Sequence, residues 1–220
     1  MQHDFKYISK KDPQVRAAYQ NLMQLLNEVR VELSKHYTFQ HRIVGSYSRN
    51  MITYDQKGNV GYDFDVNIYP NDAEMNYSAK QIKQLFKQAL DRHVFSYGFD
   101  YAEDSTRVLT IKVKDREHAR IIHSVDFAFV NDYEDESGKK HQEYIHFNKS
   151  KNVYLWQEQK EGYYMLPERI EWIKEQGLWE SDLKPYYIEK KNKNSDQNVH
   201  SRTIFANAVH EICQKHGYND

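Results

Sequence analysis

The chain has 220 residues, with 31 Lys and Arg against 32 Asp and Glu and a formal net charge of −1. That balance excludes a generically basic nucleic-acid coat and an acidic tail, and leaves only a local basic groove open. Hydrophobic residues make up 39 % and aromatics 14 %, with eighteen Tyr, which excludes a disordered composition. The lone Cys213 cannot close an intrachain disulfide, as expected in a reducing compartment. No apolar run approaches the ~20 residues that cross a bilayer, and the segment Met1 to Lys6 has no apolar core of a signal peptide. A cytoplasmic chain with no membrane partner is the expectation.

In chain order, Asp12-Pro13 reads as a helix start, a capping carboxylate followed by Pro where its missing N–H costs nothing. Val15, Tyr19, Leu22, Leu25, Leu26, Val29 and Leu33 then recur at three- and four-residue steps, which predicts one amphipathic helix over 13–35. Arg42-Ile43-Val44 reads as a short strand ending at Gly45-Ser46, and Gln56-Lys57-Gly58-Asn59 as a turn. The run from Tyr62 to Ile68 alternates strictly: Phe64, Val66 and Ile68 share one face, and Asp63, Asp65 and Asn67 the other.

Ser78 caps a second helix carrying Ile82, Leu85, Phe86, Ala89 and Leu90. Val108 to Val113 and Ile121 to Val130 follow as strands, the latter the most continuously apolar segment of the chain, with Asp126 as its single carboxylate. Asp132 to Glu136 reads as an acidic loop, and Tyr144 to Phe147 with Val153 to Trp156 as a hairpin. From Leu166 the period is helical again: one helix to Gly177, a second over about 178–190, a polar loop over 190–198, and a last helix capped by Ser201 and ended by Gly217. The expected fold is α+β, a mixed β-sheet flanked by helices with a short helical C-terminal lobe, divided as 1–160 and 161–220.

Three carboxylates and one turn carry the chemistry. Two hard cations that stabilise the attacking and leaving oxygens of an in-line displacement need shared oxygen ligands. Asp63 and Asp65 lie two residues apart on one strand face, and Asp126 comes from a later strand, placed to accept the proton of an attacking hydroxyl. Asp126 stands among Val125, Phe127, Ala128 and Phe129, where an unsupported carboxylate is costly. The Gly45-Ser46 bend offers N–H groups and a hydroxyl to phosphates. The three carboxylates are expected to converge on one cleft.

Val44-Gly45-Ser46, Asp63-Phe64-Asp65-Val66 and Val125-Asp126-Phe127 together resemble the signature of the DNA polymerase β-like nucleotidyltransferase superfamily over residues 40–130. Gly-Ser-Tyr-Ser-Arg and Ser-Val-Asp-Phe-Ala are most similar to its cyclic-oligonucleotide synthase and oligoadenylate synthase branch. The sixteen residues between Ser46 and Asp63, and an abbreviated C-terminal lobe, depart from that pattern. The resemblance implies two Mg²⁺ (or Mn²⁺) ions on Asp63, Asp65 and Asp126. It implies triphosphate contact from Gly45 and Ser46, with Arg49 orienting the turn. It further implies a basic residue of the helical lobe on the phosphates, from Lys184, Lys190, Lys191 or Arg202, and an aromatic ring under the base, from Tyr186 or Tyr187. The plainer reading of these last residues is a solvated Lys-rich loop and a packed tyrosine pair.

The activity so implied transfers a nucleoside monophosphate from an NTP to an acceptor hydroxyl and releases pyrophosphate, as in a cyclic or short oligonucleotide synthase. The near-neutral charge favours a small molecule or nucleotide as acceptor over long nucleic acid. The alternative is a catalytically degenerate nucleotide-binding or antitoxin-like module on the same fold. Eleven His without His-Glu-x-x-His or a Cys pair argue against zinc, and the absence of Gly-x-x-x-x-Gly-Lys-Ser/Thr and Gly-x-Gly-x-x-Gly argues against P-loop and Rossmann sites.

Overall fold

A computed structural model describes residues 3–55, 57–58, 61–72, 76–196 and 199–218. The expected Gln56 to Asn59 turn lies partly outside the described residues. The elements in chain order are β1 (Phe5–Tyr7), α1 (Pro13–Leu33), β2 (Thr38–Val44), α2 (Gly45–Ser48), β3 (Thr53–Asp55), β4 (Tyr62–Asn71) and α3 (Ala79–His93). They continue with β5 (Glu103–Asp104), β6 (Val108–Asp115), β7 (Arg120–Glu134), β8 (Lys140–Asn148), β9 (Val153–Glu158), α4 (Gly162–Glu175), α5 (Lys184–Lys193) and α6 (Ser201–Lys215). A π-helical turn, Trp179–Leu183, leads directly into α5. Among the described residues no helix is long and apolar enough to cross a membrane.

The chain divides into two compact units. The larger, Ile8–Ile52 with Asn59–Gln159, holds a mixed sheet in the order β2-β4-β7-β6-β5, and β7 runs on to pair with the β8–β9 hairpin. β4 and β7 are parallel; β2 with β4, β6 with β7, and β7 with β8 are antiparallel. One sheet face carries Phe64, Val66, Ile68, Leu109, Ile111, Val125, Phe127 and Phe129, all at most 1 % exposed. Against this face pack the apolar stripes of α1 and α3, including Leu22, Leu25, Leu26, Ile82, Phe86 and Leu90. Burial of apolar area on this scale is the main favourable contribution to folding.

Local chemistry sets the helix starts. Asp12 Oδ1 accepts from Gln14 N at 2.9 Å with Pro13 behind it, and Ser78 with Gln81 forms a complete capping box on α3. Lys83, on the inner side of α3, is fully buried: its Nζ lies 2.7 Å from Asp104 Oδ1 and donates to the Ser105 carbonyl, while Tyr154 OH donates to Asp104 Oδ2.

The smaller unit is Met1–Tyr7, Thr53–Gly58 and Lys160–Asp220. The helical part beyond 160 thus takes in two short strands, β1 and β3, which pair antiparallel and which sequence pattern does not announce. Within it Tyr187 and Trp179 pack on Phe205, Trp172 on Tyr218, and Lys191 Nζ donates to Thr53 Oγ1 at 2.6 Å.

Several boundaries differ from expectation. Residues 132–134 extend β7 because they pair with Gln142 to Lys140 on β8, so the acidic loop shrinks. α4 begins at Gly162, which puts Pro167 inside the helix. α5 runs to Lys193, so 190–193 is helix where a loop was expected. Ser201 is the first residue of α6, and His200 takes the capping position without a side-chain bond.

His123 shares the apolar face of β7. It is 8 % exposed, stacked on Tyr62 with centroids 5.4 Å apart, and edge-on to Phe64 and Phe99. Its Nδ1 meets no hydrogen-bond partner among the described residues. Burial pushes its pKa from the ordinary 6.5 down to about 4. The unfolded chain therefore takes up this proton near pH 6.5 and the folded chain only near 4, so stability present above pH 6.5 is lost as pH falls through that window. The loss is roughly 3 kcal/mol by linkage. Urea unfolding of His123→Phe between pH 4 and 7 is expected to show a shallower acid-side decline than wild type.

Candidate active site

The parallel register of β4 on β7 pairs Asp63 with Ser124, Phe64 with Val125, and Asp65 with Asp126. Register partners share a sheet face, so Asp63, Asp65 and Asp126 all project from the side opposite the helices. Across the sheet they form rows. Val44, Asp65, Asp126 and Thr110 make one, and Asp63, Ser124 and Lys112 the next.

Val44 ends β2 beside Asp65, and the chain turns at once into α2. Gly45 adopts φ +66°, and a Cβ added to it would stand 1.7 Å from Asp65 Oδ2. Only glycine fits, because the carboxylate occupies the side-chain position and the backbone is left-handed. The bend and the acid strand are therefore one continuous surface, and the long spacer between Ser46 and Asp63 does not separate them. Ser46 Oγ is buried with no hydrogen-bond partner among the described residues. An orphaned buried hydroxyl costs about 1–3 kcal/mol, which a phosphate oxygen would offset by accepting from it. Arg49 closes α2, its N–H donating to the Gly45 carbonyl at 3.3 Å.

The three carboxylates share a face. Asp126 Oδ1 accepts from Thr110 Oγ1 at 2.5 Å on the β6 side, while Asp65 lies against Gly45 on the β2 side. Among the described residues no three His, Cys, Asp or Glu side chains stand close enough to make a ready cation cage. Neighbouring like charges repel, and the Thr110 hydroxyl on Asp126 lowers the cost of its charge. Burial pushes the Asp126 pKa up, and the nearby Asp63 charge adds to it. The Thr110 hydroxyl and Lys112 ammonium pull the other way.

The donor set fits a hard cation in type and in face. Mg²⁺ in phosphoryl-transfer sites is commonly held by one or two carboxylates, with substrate phosphates and water completing its shell. The orphaned Ser46 hydroxyl and the glycine cradle beside Asp65 are what such phosphates would meet.

The helical-lobe candidates fare differently. Lys184 Nζ pairs with Glu180 at 2.8 Å and lies over Tyr7, and Lys190 Nζ pairs with Glu211 at 2.7 Å. Lys191 is buried on Thr53, and Arg202 lies over Tyr163. Tyr186 OH is bonded to Glu211, and Tyr187 is 5 % exposed with its ring against Phe205. Tyr187 is thus core, which corrects the expectation of a ring lying under a base. Thr110 and Lys112 are the site residues that sequence reading missed. Their signal was their alternation with Leu109 and Ile111, which puts them on the polar face of β6.

No protein-family model and no curated protein matches the chain. Among solved structures the fold is similar to that of cyclic dinucleotide synthases. One is the CdnE cyclic dinucleotide synthase of Elizabethkingia meningoseptica, solved with GTP and Apcpp. It is 14 % identical with a TM-score of 0.55, and the match covers 92 % of this chain and 70 % of that one. Another is the STING-associated CdnE c-di-GMP synthase of Capnocytophaga granulosa, at 16 % identity and TM-score 0.52, covering 93 % and 62 %. A third is the DncV cyclic AMP-GMP synthase of Vibrio cholerae with a linear intermediate, at 12 % identity and TM-score 0.54, covering 88 % and 53 %. The chain spans about half to just over two thirds of the length of these three. The expected nucleotidyltransferase-like α+β fold is borne out.

Two outcomes follow from the geometry. Gly45→Ala is expected to lower the unfolding free energy by well over 1 kcal/mol, the backbone penalty plus the clash with Asp65. Gly138→Ala, at φ +80° with nothing within 4 Å, should show only the backbone cost of about 1 kcal/mol. Carboxyl NMR titration should find the Asp126 pKa lowered by Asp63→Asn and raised by Thr110→Val, opposite signs that identify the two influences.

Proposed function

We propose that the chain is a metal-dependent nucleotidyltransferase that moves a nucleoside monophosphate from an NTP to an acceptor hydroxyl, as a cyclic or short oligonucleotide synthase does. The observation that carries this reading is that Asp65 fills the side-chain position of Gly45, which joins the bend at residues 45–48 to the row Asp65, Asp126 and Thr110. The solved synthases with bound GTP, Apcpp or a linear intermediate support it at the level of fold.

In this reading Ser46 Oγ and the N–H groups at the start of α2 bind the triphosphate. The acceptor oxygen attacks the α-phosphorus, the bond from that phosphorus to the α–β bridging oxygen breaks, and pyrophosphate leaves. The acceptor proton passes to Asp126, whose upward-pushed pKa makes it a better base than an ordinary aspartate. Asp63, Asp65 and Asp126 would hold the two Mg²⁺ or Mn²⁺ ions, which when bound supply charge neutralisation at the phosphates. The acceptor is a small molecule or a nucleotide, in keeping with a net charge of −1.

A catalytically degenerate binding module on the same fold is the second reading. Pyrophosphate release and mass spectrometry of products from the four NTPs with Mg²⁺ or Mn²⁺ separate the two. Turnover in wild type that falls at least about a hundredfold in Asp63→Ala/Asp65→Ala is expected, the scale of losing a principal electrostatic stabiliser. Equal behaviour of wild type and variant would overturn catalysis, and NTP binding without any product would leave the binding module.

A further inference from the structure

Lys10, Lys11 and Arg16 line a cavity of about 550 Å³ together with Tyr19, Gln20 and Tyr47. The Tyr47 ring is stacked on Tyr19, centroids 5.0 Å apart and 6° from parallel, and lies 5.2 Å from Phe64. Phe64 belongs to the helix-covered row of β4, so the Tyr47 ring packs on the face of the sheet opposite to Asp63 and Asp65. The cavity is nonetheless built on the residue that follows Ser46.

The cations there differ from several lysines elsewhere in this chain. Lys87, Lys112, Lys114, Lys184 and Lys190 are each ion-paired. Among the described residues no carboxylate pairs with Lys10, Lys11 or Arg16. Asp12, their neighbour in sequence, already caps α1. Lys10 instead rests its ammonium 4.9 Å from the Tyr47 ring centre and donates to the Ser48 carbonyl at 3.3 Å. Three positive charges at the rim of an aromatic floor suit a ligand that joins several phosphate charges to a planar ring.

We propose that this cavity is a second, non-catalytic site for a nucleoside polyphosphate. Its phosphates lie on Lys10, Lys11 and Arg16. The ammonium of Lys10 moves from the Tyr47 ring to the phosphates, and the base takes its place on the ring face that Tyr19 leaves open. Occupancy thereby changes what holds residues 45–48, the bend of the candidate active site. The site stands whether or not the chain is catalytic.

The test is calorimetric titration of the full chain with α,β-methylene ATP and with inorganic tripolyphosphate, in EDTA. Hydrogen exchange with and without nucleotide accompanies it. Lys11→Glu/Arg16→Glu changes two exposed side chains outside the core. Expected are saturable nucleotide binding, at least tenfold weaker in that double variant, weaker binding of tripolyphosphate than of nucleotide, and slowed exchange over 8–20 and 45–49. Unchanged affinity in the double variant, or protection confined to 45–49 and 62–66, would overturn the site. So would tripolyphosphate binding as tightly as nucleotide, or binding only of a single-stranded oligonucleotide.

Discussion

The register of the parallel β4–β7 pair is the constraint on which the rest of the larger unit depends. It sets Phe64, Val66 and Ile68 in line with Val125, Phe127 and Phe129, and in the same stroke sets Asp65 beside Asp126. A slip of one residue would turn Asp126 into the helix-covered core and Phe127 out to the polar face. Packing under α1 and α3 therefore enforces the position of the acids from the other face of the sheet. The chemistry of the polar face is fixed from behind.

Placing three carboxylates on one face creates an electrostatic cost that the neighbouring strands partly relieve. Thr110 holds one oxygen of Asp126, and Lys112 lies one row away on the same strand. On the other flank Asp65 fills the place where any side chain of residue 45 would be. Each strand next to the acid pair thus contributes something specific, a hydroxyl from β6 and a missing side chain from the end of β2. The same bend sends Tyr47 to the opposite face, where it joins Tyr19 and Lys10. One four-residue turn connects the two faces of the sheet.

Much of this was legible in the residue pattern. The strict alternation of β4 gave its two faces, Asp12-Pro13 and Ser78 gave two helix starts, and the apolar run around Asp126 gave a strand with a carboxylate out of place. Other features left no local trace. β1 and β3 are three residues each, too short for a period, and exist because they pair with one another. Lys83 reads as an exposed helix residue, yet it is buried because Asp104 and the Ser105 carbonyl, far along the chain, meet it there. Residues 132–134 look like an acidic loop and are strand because β8 supplies their hydrogen bonds. Tyr187 resembles a base-stacking platform until Phe205 covers it.

The sequence by itself determined which side chains carry charge on which face of each strand, since a period of two is a property of the extended backbone alone. It also determined the bend at Gly45, and with it a nucleotidyltransferase-like order of elements. Only the tertiary structure decided that Asp65 and Asp126 are neighbours, and that Lys184 and Lys190 are already paired. Those outcomes depend on register and on partners far along the chain, and pairing across a sheet is chosen by the packing of the whole core.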